Sequence, residues 1–214
     1  FIKYLETFKR EEKIEWTKNI INTKMNVLAI GCHPDDLEIN AGGTLAKCAK
    51  RGDKVTMCVL GNGSAGHKVY SKEEIAAIRL QEATNSAAII GAEYINLGVD
   101  DMFLRENYDL LVKRLSDVIR KVRPDFIITH SPDDYMPDHT AVAKLVFDAS
   151  FVASVPHYNN GGKAAVTPIY YMDTLAGVGF LPTEYVDITD EIDLKIEMLE
   201  EHRYFLNELN IVQV

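Results

Sequence analysis

The chain has 214 residues, 47% of them hydrophobic and 26% charged, which is enough apolar material for one domain with a sizeable core. Its formal net charge of -9 is opposite to the basic patches that nucleic acids and anionic membranes require, so we expect neither kind of partner. No apolar run approaches the roughly 20 residues that span a bilayer, so no membrane span is predicted.

Residues 1–24 are charged and are predicted to form a helical extension. Phe1, Leu5 and Phe8 recur at helical spacing and give this segment one apolar stripe. We expect the stripe to pack on the core or on another subunit rather than to carry chemistry. The remaining residues, 25–214, are predicted to form a single domain.

Strands and helices alternate along the rest of the chain. Continuous apolar stretches such as VLAIGC are typical of strands that are buried on both faces of a parallel sheet. Ser71 and Glu74 form a capping box that opens a long helix. This order predicts a Rossmann-like three-layer α/β fold with a mainly parallel sheet and helices on both faces. The predicted strands cover residues 26–32, 54–60, 93–97, 125–130, 169–173 and 184–188, and the predicted helices cover residues 42–51, 71–90, 107–121, 138–153 and 189–209.

Polar side chains follow four of these strands at their carboxyl ends. They occupy residues 33–36, 61–67, 100–101 and 130–139. Ligands of open α/β sheets bind beyond the carboxyl ends of the strands. We therefore expect these four clusters to meet at one edge of the sheet and to form the functional site there.

Two of the clusters combine histidine with aspartate. The first contains His33, Asp35 and Asp36, and the second, HSPDDYMPDHTAVAK, supplies further histidines and carboxylates. Two imidazoles and one carboxylate are a known set of catalytic zinc ligands. A divalent cation would also compensate two adjacent carboxylates, since one can bind the metal while the other exchanges protons with the attacking water and the leaving amine.

The stretch HPDDLEINAGGTLAK resembles the His-Pro-Asp-Asp-x-Glu signature of the PIG-L, or LmbE-like, family of de-N-acetylases. These are zinc enzymes that hydrolyse N-acetyl groups, often on glucosamine conjugates. The resemblance extends from about residue 26 to residue 203. It also includes the stretches GNGSAG, LGVDD, PDHTAVAKLV and YVDITDEIDLKIEMLEEH.

The resemblance implies an activity, a cofactor and partners. The chain would be a hydrolase that removes an acetyl or other acyl group from an amide nitrogen. Its partner would be a small N-acetylated substrate, an N-acetylglucosamine-type sugar conjugate. The expected cofactor is Zn²⁺, with another divalent metal such as Fe²⁺ as the alternative. By analogy with related bacterial enzymes, we also expect a homo-oligomer.

The resemblance also assigns roles to individual residues. His33, Asp36 and His139 would bind the metal, and Asp35 would be the general base. Asp101 matches the family's substrate-binding aspartate after the third strand.

One position departs from the family pattern. The family usually has His-Pro-Asp-His, whose first histidine helps to stabilise the oxyanion, whereas this chain has Met136 in that place. Methionine is not a charged donor, so either another group replaces it or the substrate and the rate differ, and we expect a replacement. His130 is one candidate, with capping of its strand as the alternative role. His202 is the other and is also a candidate substrate-binding residue, with a surface or interface role as the alternative. Asp138 is expected to orient a histidine.

Two other functions remain open for this sequence. GNGSAG at residues 61–66 matches G-x-G-x-x-G, the pattern of a nucleotide-dependent oxidoreductase, although the helix is not expected to open at these glycines. In the hydrolase interpretation Ser64 contacts substrate or is a turn residue, and His67 faces solvent. Met136 also motivates a metal-containing binding or regulatory protein that has lost turnover. Arg79 and Glu82 are expected to form an ion pair along their helix.

The three cysteines, Cys32, Cys48 and Cys58, lie in apolar or helical context. Their odd number and their surroundings predict reduced, buried thiols. Reduced thiols suit a cytoplasmic protein.

Overall fold

A computed structural model describes residues 23–66, 70–158 and 165–204. The predicted helical extension therefore lies outside the described residues except for its last two positions, as do His67 and the predicted helix beyond residue 204.

The described chain contains a five-stranded sheet in which every neighbouring pair of strands is parallel. The order of the strands is β3-β2-β1-β4-β5, so β1 lies at the centre. This sheet confirms the predicted α/β fold. The strands are β1 (Asn26–Gly31), β2 (Lys54–Gly61), β3 (Glu93–Val99), β4 (Phe126–Thr129) and β5 (Ile169–Tyr171).

Helices connect the strands and cover both faces of the sheet. The predicted capping box at the start of α2 is confirmed, because the backbone N–H of Glu74 donates to Ser71 Oγ and that of Ser71 donates to Glu74 Oε2. Within the part of the chain that is described, no helix combines the length and the apolar character that a membrane crossing needs. The helices are α1 (Asp36–Arg51), α2 (Lys72–Ile89), α3 (Tyr108–Val122), α4 (Pro137–Ser154) and α5 (Ile192–Glu200).

The core consists of two apolar clusters, one on each face of the sheet. Leu28 and Ile30 of β1 pack in the cluster that includes residues of α3 and α4. Val27 and Ala29 pack in the opposite cluster, which includes residues of α1. Side chains alternate between the two faces of a strand, so the continuous apolar sequence of β1 reflects burial on both faces.

One predicted strand and the bounds of two predicted helices are wrong. Helix α1 begins at Asp36 rather than at residue 42, since its first turn contains polar residues that read as a loop in the sequence. Residues 184–188 are not a strand, because Tyr185 is 85% exposed and Ile188 approaches Gly43 of α1 instead of the sheet. The predicted last helix begins with a short 3₁₀ helix, Thr189–Glu191, and is interrupted after α5 ends at Glu200, before residues 203–204 are helical again.

The close approach of Ile188 to α1 gives a prediction for stability. A Cβ added at Gly43 would lie 2.5 Å from Ile188 Cδ1, whereas one added at Gly42 would lie 3.3 Å from Cγ of the flexible Lys195. We expect Gly43→Ala to lower the free energy of unfolding by about 1–3 kcal/mol, the usual cost of overpacking. Gly42→Ala should leave it unchanged or raise it, since alanine favours a helix by up to about 1 kcal/mol. Urea denaturation of both variants measures the difference, and equal midpoints would contradict this packing.

Candidate active site

The polar clusters meet at the carboxyl edge of the sheet, as predicted. His33 and Asp36 follow the central strand β1, and His139 lies in the first turn of α4, after the neighbouring strand β4. One donor atom from each of these three residues lies within 4.8 Å of the others. The fold therefore brings together the three residues that were expected to bind a metal, from parts of the chain more than 100 residues apart.

Asp36 is the centre of this group. It is the first residue of α1, and its Oδ2 accepts the backbone N–H groups of His33 at 2.7 Å and Cys32 at 3.2 Å. Burial alone would raise the pKa of Asp36, but the imidazoles of His130, His139 and His33 hold it well below its ordinary value. The carboxylate therefore stays ionised in a buried position.

Each of the two facing imidazoles has a carboxylate on its far nitrogen. Nδ1 of His139 lies 2.9 Å from Asp134 Oδ2, and Nε2 of His33 lies 3.4 Å from Asp138 Oδ2. The near nitrogens face Asp36, with His139 Nε2 3.3 Å from Oδ1 and His33 Nδ1 3.5 Å from Oδ2. Since a neutral imidazole carries one proton, donation from the far nitrogens leaves lone pairs on the near nitrogens.

These lone pairs make the site suitable for a cation. His139 Nε2 is buried and has no hydrogen-bond partner among the described residues. This nitrogen faces Asp36 Oδ1 at 3.3 Å, so either a proton on Nε2 or a cation between the two atoms offsets the negative charge of the carboxylate. Burial alone would lower the pKa of His139, but the carboxylates of Asp36 and Asp134 raise it, because both stabilise a positive charge next to them. Two imidazole nitrogens and one carboxylate oxygen suit a divalent metal such as zinc.

Asp35 is adjacent to Asp36 in sequence but makes different contacts. Its backbone has φ 123°, outside the usual region for a residue with a side chain. Its Oδ2 lies 2.8 Å from Nη2 of Arg79 on α2, and the same guanidinium donates to the carbonyl of Pro34. Burial raises the pKa of Asp35 to about 7, although the charge of Arg79 opposes this rise. Arg79 thus reaches the edge of the site, and its expected ion pair with Glu82 stays a prediction.

Asp101 organises the glycine-containing loop after β2. Its Oδ1 accepts the N–H of Gly63 at 2.9 Å, and its Oδ2 accepts the N–H of Ala65 at 3.0 Å. Ser64 lies between them, and its Oγ is buried without a hydrogen-bond partner among the described residues. Substrate binding by Asp101 and Ser64 stays a prediction. The free hydroxyl of Ser64 supports it more than Asp101 does, because both oxygens of Asp101 already accept backbone N–H groups.

This loop does not have the geometry of a dinucleotide site. A short 3₁₀ helix covers Ser64–Gly66, and α2 begins only at Lys72. The dinucleotide fingerprint requires the helix to open at the glycines, so that its N–H groups can hold a pyrophosphate. The oxidoreductase alternative is therefore not favoured.

The structure places His130 against His139, Met136 just before α4, and His202 against Glu38 of α1. The fully buried ring of His130 stacks on His139 with 3.9 Å between the ring centroids, and burial lowers its pKa. Met136 immediately precedes α4 and is partly buried. His202 is fully buried, with its Nε2 3.0 Å from Glu38 Oε1 on α1. Their functional roles stay predictions.

Sequence reasoning did not find Asp134. It expected Asp138 to orient a histidine, and Asp138 does contact His33. Asp134 is five residues before His139 and lies in the loop before α4, so no helical spacing connects the two. The only signal in the sequence is that HSPDDYMPDH contains three aspartates, of which Asp134 is one.

Comparison with known proteins identifies the class to which this fold and site belong. The family model described as PIG-L, GlcNAc-PI de-N-acetylase, matches residues 28–150. The diacetylchitobiose deacetylase of Thermococcus kodakarensis is 32% identical over 193 residues, which cover 85% of this chain and 70% of that protein. The chain therefore belongs to the PIG-L family of de-N-acetylases, hydrolases that act on amide bonds, and the resemblance inferred from the sequence is confirmed.

Solved structures support the same assignment, and one of the similar structures belongs to an enzyme with a different activity. The N,N'-diacetylchitobiose deacetylase of Pyrococcus horikoshii superimposes with a TM-score of 0.74 at 26% identity, covering 92% of this chain and 79% of that one. The 4-carboxy-2-hydroxymuconate hydratase GalB of Pseudomonas putida gives a TM-score of 0.73 at 25% identity, covering 88% and 90%. The chain is thus similar both to deacetylases and to a hydratase.

Proposed function

We propose that this chain is a zinc-dependent N-deacetylase that removes the acetyl group from a small N-acetylglucosamine-type conjugate. The observation that carries the proposal is the convergence of His33, Asp36 and His139, with a carboxylate on the far nitrogen of each histidine. The curated relatives whose names specify acetylated glucosamine compounds, among them a diacetylchitobiose deacetylase, support the choice of substrate.

His33, Asp36 and His139 would hold the metal, for which Zn²⁺ is proposed and Fe²⁺ is the alternative. When bound, the metal supplies Lewis-acid catalysis, since it polarises the amide carbonyl and lowers the pKa of a water molecule. The chain's own contribution is to keep the near nitrogens unprotonated and the Asp36 carboxylate ionised. The contacts of Asp138 and Asp134 with the far nitrogens support this role.

Asp35 is proposed as the general base and acid. Arg79 occupies its Oδ2, which leaves Oδ1 as the oxygen that takes a proton from water and later gives it to the departing amine. Because Arg79 also contacts the carbonyl of Pro34, it holds the turn between β1 and α1 as well as the carboxylate. Ser64, Asp101 and His202 are proposed to bind the substrate.

Release of a primary amine tests the proposed reaction. Protein stripped with a chelator should be inactive on N-acetylglucosamine and diacetylchitobiose, and one equivalent of Zn²⁺ per chain should restore amine release. Full activity in the stripped protein would contradict metal dependence. Metal binding without any turnover would favour the binding or regulatory alternative. Hydration of 4-carboxy-2-hydroxymuconate without amine release would instead place the chain with the hydratases.

The place of Met136 leads to a kinetic prediction about the oxyanion. We expect a substitute donor, so Met136→His should change kcat little, whereas removal of that donor should lower kcat by about 10²–10³, as for other oxyanion donors. His130→Ala and His202→Ala, assayed on one N-acetylated substrate with metal content measured in each, identify the donor. If all three variants match the wild type in kcat and KM, neither Met136 nor these histidines acts on the oxyanion.

A cytoplasmic location and assembly into a homo-oligomer are also proposed. The three cysteines are free buried thiols, which supports a reducing compartment. The outer face of α4 and the loop before β5 expose Phe147, Phe151 and Val166, which line a small cavity and support a contact between subunits. Light scattering on purified protein measures the assembly.

A further inference from the structure

Asp134 makes two contacts through two different oxygens. Its Oδ2 lies 2.9 Å from Nδ1 of His139, and its Oδ1 accepts the backbone N–H of Met136 at 2.9 Å. The side chain of Asp134 is 1% exposed, as is that of His139, so water does not compete strongly for either contact. The carboxylate thus connects the loop after β4 directly to a side chain of α4.

We propose that Asp134 is the positioning residue for the metal-binding side chain of His139, and that it sets the metal affinity of the site. This inference rests on the proposed function, in which His139 is a metal ligand. Acceptance of the Nδ1 proton by Asp134 leaves the lone pair of His139 on Nε2, the atom that faces Asp36. Without this acceptor the imidazole can carry its proton on Nε2, where it would block metal binding.

The contact with Met136 explains how Asp134 is itself held in place. A carboxylate that accepts the N–H two residues ahead closes an Asx turn, which restricts both the loop and the carboxylate. The backbone of the loop therefore holds Asp134 in the orientation in which it contacts the histidine. Asp138 has a comparable arrangement, since its Oδ2 accepts the N–H of Met102 at 2.8 Å while it faces His33 at 3.4 Å. The contact between Asp134 and His139, at 2.9 Å, is shorter than the contact between Asp138 and His33.

Two substitutions separate the orienting role from the turn. In Asp134→Asn the amide oxygen can still accept the N–H of Met136, but the amide N–H then faces His139 Nδ1 as a donor, which places the proton of the imidazole on Nε2. In Asp134→Ser the hydroxyl can still accept the N–H of Met136, but the shorter side chain does not reach His139. Asp133→Asn is the matched control, because it removes the same charge from the neighbouring exposed residue of the same loop.

The dissociation constant for Zn²⁺, measured by competition with a chromophoric chelator, tests the inference. We expect Asp134→Asn and Asp134→Ser to bind Zn²⁺ about 10–100-fold more weakly, which is the usual effect of losing such a partner, and Asp133→Asn to match the wild type. The visible spectrum of the Co²⁺-loaded protein should change in the two Asp134 variants only. The thermal unfolding midpoint of the metal-free proteins shows separately whether loss of the turn lowers stability.

The outcomes distinguish this inference from the proposed function. Wild-type Zn²⁺ affinity and an unchanged Co²⁺ spectrum in both Asp134 variants would overturn the inference, even if their metal-free thermal midpoints fell. If Asp134→Asn does not fold, the Asp134→Ser affinity decides. Metal loss in His139→Ala is required by the proposed function, so retention of metal there would refute the ligand assignment itself.

Discussion

Asp35→Asn is expected to keep one equivalent of metal and to lose about 10²–10⁴-fold in the rate of amine release, the usual share of general acid–base catalysis. The expectation follows from the different contacts of two adjacent carboxylates. Asp36 faces three imidazoles, whereas Asp35 faces Arg79 on α2. An amide at residue 35 retains the size of the side chain but cannot take a proton from water.

The neighbouring substitution is the control for this experiment. Asp36→Asn should lose the metal, because it removes the only carboxylate in the predicted ligand set. Metal content and amine release are measured on both variants under the same conditions. If Asp35→Asn loses metal in proportion to activity, Asp35 is a ligand and the division of roles between the two aspartates is wrong.

His139→Ala is expected to lose most of its metal and, as a consequence, its amine release. The variant removes the nitrogen that faces Asp36 at 3.3 Å and leaves His33 and Asp36 as the remaining predicted ligands. His157→Ala is the matched control, since His157 is exposed on the segment after α4 and is not among the predicted ligands. Metal analysis of both purified variants decides the matter, and one full equivalent in His139→Ala would remove this residue from the site.

The sequence was most informative where a local pattern decides the structure. The apolar sequence of β1 and the capping box at Ser71 predict the observed structure, because burial on both faces and helix capping depend on neighbouring residues. The His-Pro-Asp-Asp motif at residues 33–36 located three of the predicted site residues for the same reason. The sequence also led to the PIG-L family, which the comparisons confirm.

Most of the errors and omissions involve contacts that depend on how loops and helices pack. Residues 184–188 have the composition of a strand, but Ile188 packs against α1 through the gap left by Gly43. Asp134 contacts His139 only because the loop before α4 turns back on the helix. The two oxygens of Asp101 accept N–H groups from a loop almost 40 residues earlier. No periodicity or motif encodes such contacts, since they depend on how the elements pack.

The backbone of Asp35, with φ 123°, has a consequence for how stability and activity are balanced in this chain. A conformation of this kind costs about 1–3 kcal/mol for a residue with a side chain, whereas glycine adopts it with little strain. Glycine at residue 35 would relieve this strain, but it would also remove the carboxylate that pairs with the largely buried guanidinium of Arg79. The strained backbone is therefore part of what it takes to hold a carboxylate at this turn, beside Arg79. Stabilising substitutions elsewhere, in packing that does not touch this turn, are the ones that the activity can tolerate.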